Sequence, residues 1–402
     1  MKPRLLLIMT FCLCLLMFCS CEDENVSLIS ENLSSIGYST TSLMADSPTR
    51  IVFGEGTRIH YYNKLDEALY PLCFDPLCAH TSDDCLSRKF MMNGVTQQVE
   101  YSSYNNRFYI LRGQKLCSFS FDGSDLCIEY SFGEDGDFEN RSYSPYSVVQ
   151  LKIVENEAYM LSADAETGKR DLMCYDLKKE IMYNLTSDID GDVNDYIVDM
   201  EGIILTMIHE DEISFWQTDR KEKHLCPLEL NIDPYILGRV VGNGEDYYAV
   251  NSAYVLQNGE TVHLCDEIVK WNVESNMIES IYTVTDGKEC KLLAVTTDAI
   301  YFQIPENIYI GYKQGIVQKI NIYNSQSKVY RLDLASNEMS IVFDDICCSV
   351  NEICFIGDDK VLMQGAECIA DEGNAKNLAA VFLAELDEDG SFVNVRKLEV
   401  NK

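Results

Sequence analysis

The chain has 402 residues, 47% of them hydrophobic and 24% charged, with 65 acidic against 32 basic side chains and a net charge of −33. That composition belongs to a folded globular protein. The charge repels phosphate backbones and anionic lipid surfaces, which excludes nucleic acid as a partner and favours cationic ones.

From the N-terminus, Met1-Lys2-Pro3-Arg4 is a short basic start and Leu5 to Phe18 an apolar run; Cys19-Ser20-Cys21 then leads into Glu22-Asp23-Glu24. This order is that of an export signal. The cysteine at the cleavage point resembles the lipobox of bacterial lipoproteins: Ser20 and Cys21 fit it, while Phe18 and Cys19 stand where Leu and a small residue are usual. The resemblance implies that residues 1–20 are removed and that Cys21 is lipidated, holding the chain on the extracytoplasmic face of a cell membrane. Without Lys2 and Arg4 the balance is 30 basic to 65 acidic residues, or −35. The apolar run is short for a membrane span of about 20 residues, and no later stretch approaches that length. Residues 21–48 are rich in Ser, Thr, Asn and Glu without an apolar period. They are expected to form a flexible tether with a root-mean-square reach of roughly 30 Å.

Over residues 49–402 one pattern recurs: an apolar or aromatic strand ends at Asp or Asn, a polar turn follows, and another strand begins. Anchored on Asn63, Asp122, Asp176, Asp219, Asn272, Asp333 and Asp387, the spacings are 59, 54, 43, 53, 61 and 54. A second strand precedes most anchors, as in Arg107–Leu111, Ala158–Leu161, Asp246–Val250 and Ala299–Phe302. Four short strands per unit of about 50 residues predict an all-β fold, a β-propeller of seven four-stranded blades. Arg50–Phe53 is expected to close the ring against Phe392–Val395. Trp216 and Trp271 sit in the strand before the repeated turn, which marks them as blade-packing residues.

Within the first repeat, Cys73, Cys78, His80 and Cys85 are spaced C-x4-C-x-H-x4-C. Three cysteines and a histidine make a complete tetrahedral set for zinc, and thiolates also suit iron. The competing reading is a disulfide that staples loop 73–85 with His80 a bystander. The segment Cys73-Phe74-Asp75-Pro76-Leu77-Cys78-Ala79-His80 resembles a Cys-x-Asp-Pro-x-Cys-x-His motif in exported lipoproteins of anaerobic Firmicutes, where it precedes propeller-like repeats. That resemblance implies location and fold and carries no activity.

Further along, Asp188, Asp190, Asp192, Asn194 and Asp199 match ligand positions 1, 3, 5, 7 and 12 of a calcium loop. The glycine needed at position 6 is replaced by Val193, so a solvated acidic loop competes with the calcium reading. Of the 17 cysteines, 13 remain after Cys12, Cys14, Cys19 and Cys21. Many, such as Cys174, Cys265 and Cys354, fall in strand-like runs and are expected to pack as free thiols, a pattern suited to an oxidant-poor setting. A bridge at Cys347 or Cys348 stays open. The five histidines are scattered, and no G-x-S-x-G, H-E-x-x-H or glycine-rich phosphate loop is present. The expected function is therefore a lipid-anchored binding module for a protein, peptide or glycan, with no catalytic residues assigned. The alternatives are a glycan hydrolase or lyase on the same scaffold, and a metal- or redox-linked sensor.

Overall fold

The computed structural model describes Tyr38, Ser39 and most of residues 44–401; within 44–401 the longest segments outside it are 88–97, 133–147, 230–240 and 313–319. The chain forms a β-propeller of seven antiparallel blades, each with four strands taken in sequence order except for one insertion. Blade 1 is Met44–Asp46, Arg50–Glu55, Arg58–Asn63 and Ala68–Pro71. Blade 5 is Val241–Gly242, Tyr247–Gln257, Glu260–Asn272 and Met277–Val284. Blade 7 is Cys348–Ile356, Lys360–Asp371, Asn374–Leu386 and Phe392–Lys397. In blade 6 a separate hairpin, Tyr309–Tyr312 with Ile320–Tyr323, is inserted between the second and third strands. Met44–Asp46, within the segment read as tether, supplies the inner strand of blade 1.

Each of the six anchor residues that the structure describes falls at the turn between the third and fourth strands of a blade. The reason is local chemistry. In blades 3, 4 and 6 the side chains of Asp176, Asp219 and Asp333 accept the backbone N–H groups two and three residues on. Their carbonyls accept the N–H four residues on. The residue at that fourth place is left-handed, at Glu180 (φ 57°), Lys223 (φ 53°) and Asn337 (φ 57°). Asn63, Asn272 and Asp387 cap the corresponding turns of blades 1, 5 and 7 in related ways. A short carboxylate or amide is the side chain that can close such a turn on its own backbone. Asp122 lies outside the described residues, and in that turn Asp125 accepts from the Ser120 N–H.

Burial follows the ring. The core divides into seven apolar clusters, one between each pair of neighbouring blades. Trp271 is packed between blades 4 and 5, edge-on to Phe215 with ring centroids 6.1 Å apart; Trp216 packs half-buried against the cluster between blades 3 and 4. At the seam, Ile51 and Phe53 do meet the last blade, but against Cys354, Leu362, Val381, Leu383 and Leu398. The expected partner segment is corrected here: Phe392 turns instead toward blade 6, stacking with Tyr301 at 6.0 Å. It lies on the outer strand, whose side chains on one face cover the preceding blade.

An antiparallel meander fixes which loops share an end of the ring. Second-to-third-strand turns and crossovers to the next blade lie at one end, here the crossover end. The capped turns lie at the other, the turn end. Most second and third strands run from 5 residues, as at Lys115–Phe119, to 8, as at Gly202–His209. Those of blade 5 run 11 and 13 residues and those of blade 7 run 12 and 13. About five extra residues at ~3.3 Å each lift these hairpins roughly 15 Å above the crossover end.

Candidate metal centre

The loop that follows blade 1 is a crossover, so it belongs to the same end as the tall hairpins. It leaves the sheet at Pro71, paired with His60, and the Cys73 N–H turns back onto the Pro71 carbonyl at 2.8 Å. Asp75 then builds a tight turn. Its side chain accepts the Leu77 N–H at 2.9 Å and its carbonyl the Cys78 N–H at 3.1 Å. The turn folds Cys78 back toward Cys73. His80 adopts a left-handed backbone (φ 55°), and its N–H donates to Cys78 Sγ at 3.3 Å. Such a conformation is uncommon for a residue with a Cβ and is tolerated where the surroundings demand it.

The loop thereby gathers one ligand atom each from Cys73, Cys78, His80 and Cys85, all within 4.8 Å of one another. His80 Nδ1 lies 3.5 Å from Cys85 Sγ. Tetrahedral zinc, with Zn–S about 2.3 Å and Zn–N about 2.0–2.1 Å, has an S···N edge of roughly 3.5 Å. The donor set and its spacing therefore fit zinc. All three cysteines are free thiols. Cys85 is buried and its Sγ sits 3.2 Å from the Ser87 hydroxyl, a residue with no exposed surface. Outer partners of this kind orient a ligand.

The thiols differ in character. Burial pushes Cys73 up to about 11. At Cys85 burial also acts upward, but hydrogen bonds with Ser87, His80 and Cys78 outweigh it and bring the thiol down to about 6. His60 is held at about 4, by burial first and then by Arg58 and His80. It is neutral at physiological pH and adds no positive charge beside the thiolates. Four protein ligands close a tetrahedral shell, so a metal here braces the loop and leaves no position for substrate.

The other expected residues are placed differently. Asp192 accepts the Arg170 N–H at 3.2 Å and Asn194 accepts from the Arg170 guanidinium at 3.3 Å. Asp188 meets the Ser187 hydroxyl, and Asp199 and Cys21 lie outside the described residues. Among the described residues, the Cys/His loop is the one group of three or more metal-binding side chains that converges. Cys347 and Cys348 are free thiols, and the Cys347 backbone N–H and the Cys348 thiol donate to the Asp345 carboxylate. Two buried carboxyls, Glu100 and Glu352, lie on inner strands, where Asp195 is half-buried. Glu100 is raised by burial against Lys152, 3.3 Å away, and Asp195 is raised by burial to about 6. Ser87 and the tall hairpins have no signature in the sequence, because each becomes meaningful only once the ring places it.

No protein-family model and no curated protein matches the sequence. Among solved structures the chain is similar to an oligogalacturonate lyase from Vibrio parahaemolyticus at 9% identity and TM-score 0.53, over 89% of this chain and 92% of that one. An oligogalacturonate lyase in complex with manganese is similar at 9% identity and TM-score 0.53, over 85% and 87%. Puromycin hydrolase is similar at 9% identity and TM-score 0.51, covering 89% of this chain and 53% of that one, so the chain spans about half its length. At these identities the likeness is one of fold.

Proposed function

We propose that the chain is an extracytoplasmic binding propeller, held to a bacterial membrane through lipid on Cys21, whose ligand meets the crossover end of the ring. The observation that carries this reading is the concentration of built structure at that end. The long hairpins of blades 5 and 7 and the Cys/His loop all project there. The opposite end consists of short, side-chain-capped turns. Elaborated loops on a rigid scaffold are where binding residues concentrate. Zinc on Cys73, Cys78, His80 and Cys85 would hold the blade 1 loop in shape beside that surface.

The test is to trim the hairpins. Residues 253–265 and 368–377 are each replaced by Asn-Gly, which keeps the Ser252–Asp266 and Glu367–Leu378 pairs as flanks. The intact protein should retain ligands from peptide and glycan arrays without converting them, and the trimmed one should lose them. Equal retention would move the ligand away from this end. Turnover of an arrayed glycan would instead favour the enzyme reading.

A further inference from the structure

At the centre of the ring, blade 5 differs from the others. Its described inner strand is Val241–Gly242, and its inward edge carries the chain's own Tyr38–Ser39. The two run antiparallel, with Tyr38 opposite Gly242 and Ser39 opposite Val241. Five residues after Ser39, Met44 opens the inner strand of blade 1. Blades 5 and 1 are three places apart in a ring of seven, the greatest separation available, so Ser39 and Met44 stand on blades across the channel from each other. Five Cα steps reach at most about 18 Å, which bounds the distance between these two residues.

The choice of blade 5 has a physical reason. An inner strand presents unpaired N–H and C=O groups to the channel and so templates a further strand. In blades 3, 4, 6 and 7 that edge is interrupted by a bulge, between Val149 and Lys152, Val193 and Asp195, Leu292 and Ala294, and Val350 and Glu352. Bulges break the ladder and blunt an edge. The pairing of the described inner strands of blades 1, 2 and 5 shows no such shift, and blade 5 is where a strand has been added. Among the described residues two pair, and a contact of that size is held by few hydrogen bonds and can exchange.

We propose that the inner edge of Val241–Gly242 is a strand-addition site for an extended polypeptide, with Tyr38–Ser39 as its resident occupant. This rests on the binding reading above and names its ligand class. Main-chain pairing gives such sites affinity for any extended segment that offers N–H groups at the paired positions. The resident pair opens on Tyr38, an aromatic residue of the kind that favours extension.

The experiment measures binding of a fluorescent synthetic peptide of residues 34–43 to the full chain by anisotropy. In the variant Tyr38→Pro/Ser39→Pro the resident N–H that faces the edge is removed whichever of the two residues carries it, because neighbouring residues of a strand point their N–H groups to opposite sides. A tethered competitor acts at roughly millimolar effective concentration. The variant should therefore bind the peptide at least about tenfold more tightly than the wild type. A peptide carrying proline at the same two positions should bind neither protein. Equal affinity for both proteins, or binding to neither, overturns the strand-addition site. Loss on hairpin trimming is read separately, so this inference can fail while the crossover-end reading stands.

Discussion

Lys360 donates to Glu67 across the seam where blade 7 meets blade 1, joining residues 293 positions apart. Arg396 adds a second contact to the same carboxylate at 3.3 Å. These charges are partly exposed, and ion pairs of that kind contribute little; Glu67→Gln should cost less than about 1 kcal/mol in urea unfolding. Beneath them, Leu362 is fully buried among Ile51, Phe53 and Tyr62. Leu362→Ala should cost roughly 2–5 kcal/mol. If the two variants proved equally destabilised, the seam would not be held by its apolar cluster.

Gly365 tests the bulged inner edges. A Cβ built there would lie 1.8 Å from the Ser349 carbonyl oxygen, backbone against backbone. Gly365→Ala should force the inner strand of blade 7 outward and lower the melting temperature sharply. Gly168, whose left-handed backbone (φ 76°) faces open space, is the control. Gly168→Ala should cost only the strain of a left-handed residue, of order 1 kcal/mol.

Asp176 separates cap from charge. Its carboxyl is held below the usual range: burial acts upward, and the hydrogen bonds from Lys179 and the Lys178 and Lys179 N–H groups outweigh it. A depressed native value means stability that is present above the unfolded value of about 3.9 and lost as pH falls through the native one. Asp176→Asn keeps an oxygen for the turn and should flatten that acid limb, with its deficit against wild type confined to higher pH. Asp176→Ala also loses the cap and should be destabilised further, by about 1–2 kcal/mol at neutral pH. Urea midpoints from pH 2 to 7 for the three proteins decide it.

For the Cys/His loop, the anaerobically purified protein should carry about one zinc per chain by mass spectrometry. A chelator should remove it and expose the cysteines to alkylation, since bound ligands are metal-held thiolates. His80→Ala should weaken retention, and Cys78→Ser should do so more severely. Metal-free protein whose cysteines are released by reductant alone would return the loop to a disulfide staple. Bound iron with visible absorption would move the redox sensor ahead.

Anchoring is read by metabolic labelling. A palmitate analogue should mark the wild type and spare Cys21→Ala. Equal labelling of both would end the lipoprotein reading.

What was legible in the sequence is what depends on near neighbours along the chain. The turn caps were visible because Asp176 or Asp333 closes its turn with backbone two to four residues away. The Cys/His set was visible because the whole constellation fits in one loop. The partner of Ile51 and Phe53 was not, because nothing in Phe392–Val395 tells which face of an outer strand covers which neighbour. Ser87, the inner-strand bulges and the pairing of Tyr38 with Gly242 were equally silent, since each is a consequence of ring geometry.

The seven interface clusters also order the assembly of the ring. Six of them join blades that are consecutive in the chain, so each can form soon after its second blade has been made. The seventh joins Ile51, Phe53 and Leu69 to Leu362, Leu383 and Leu398. A growing chain therefore carries blade 1 with an apolar face uncovered until nearly all of the rest exists. A flank of that kind invites the wrong partner. The slowest and most vulnerable moment in making this protein is the wait of its first blade for its last.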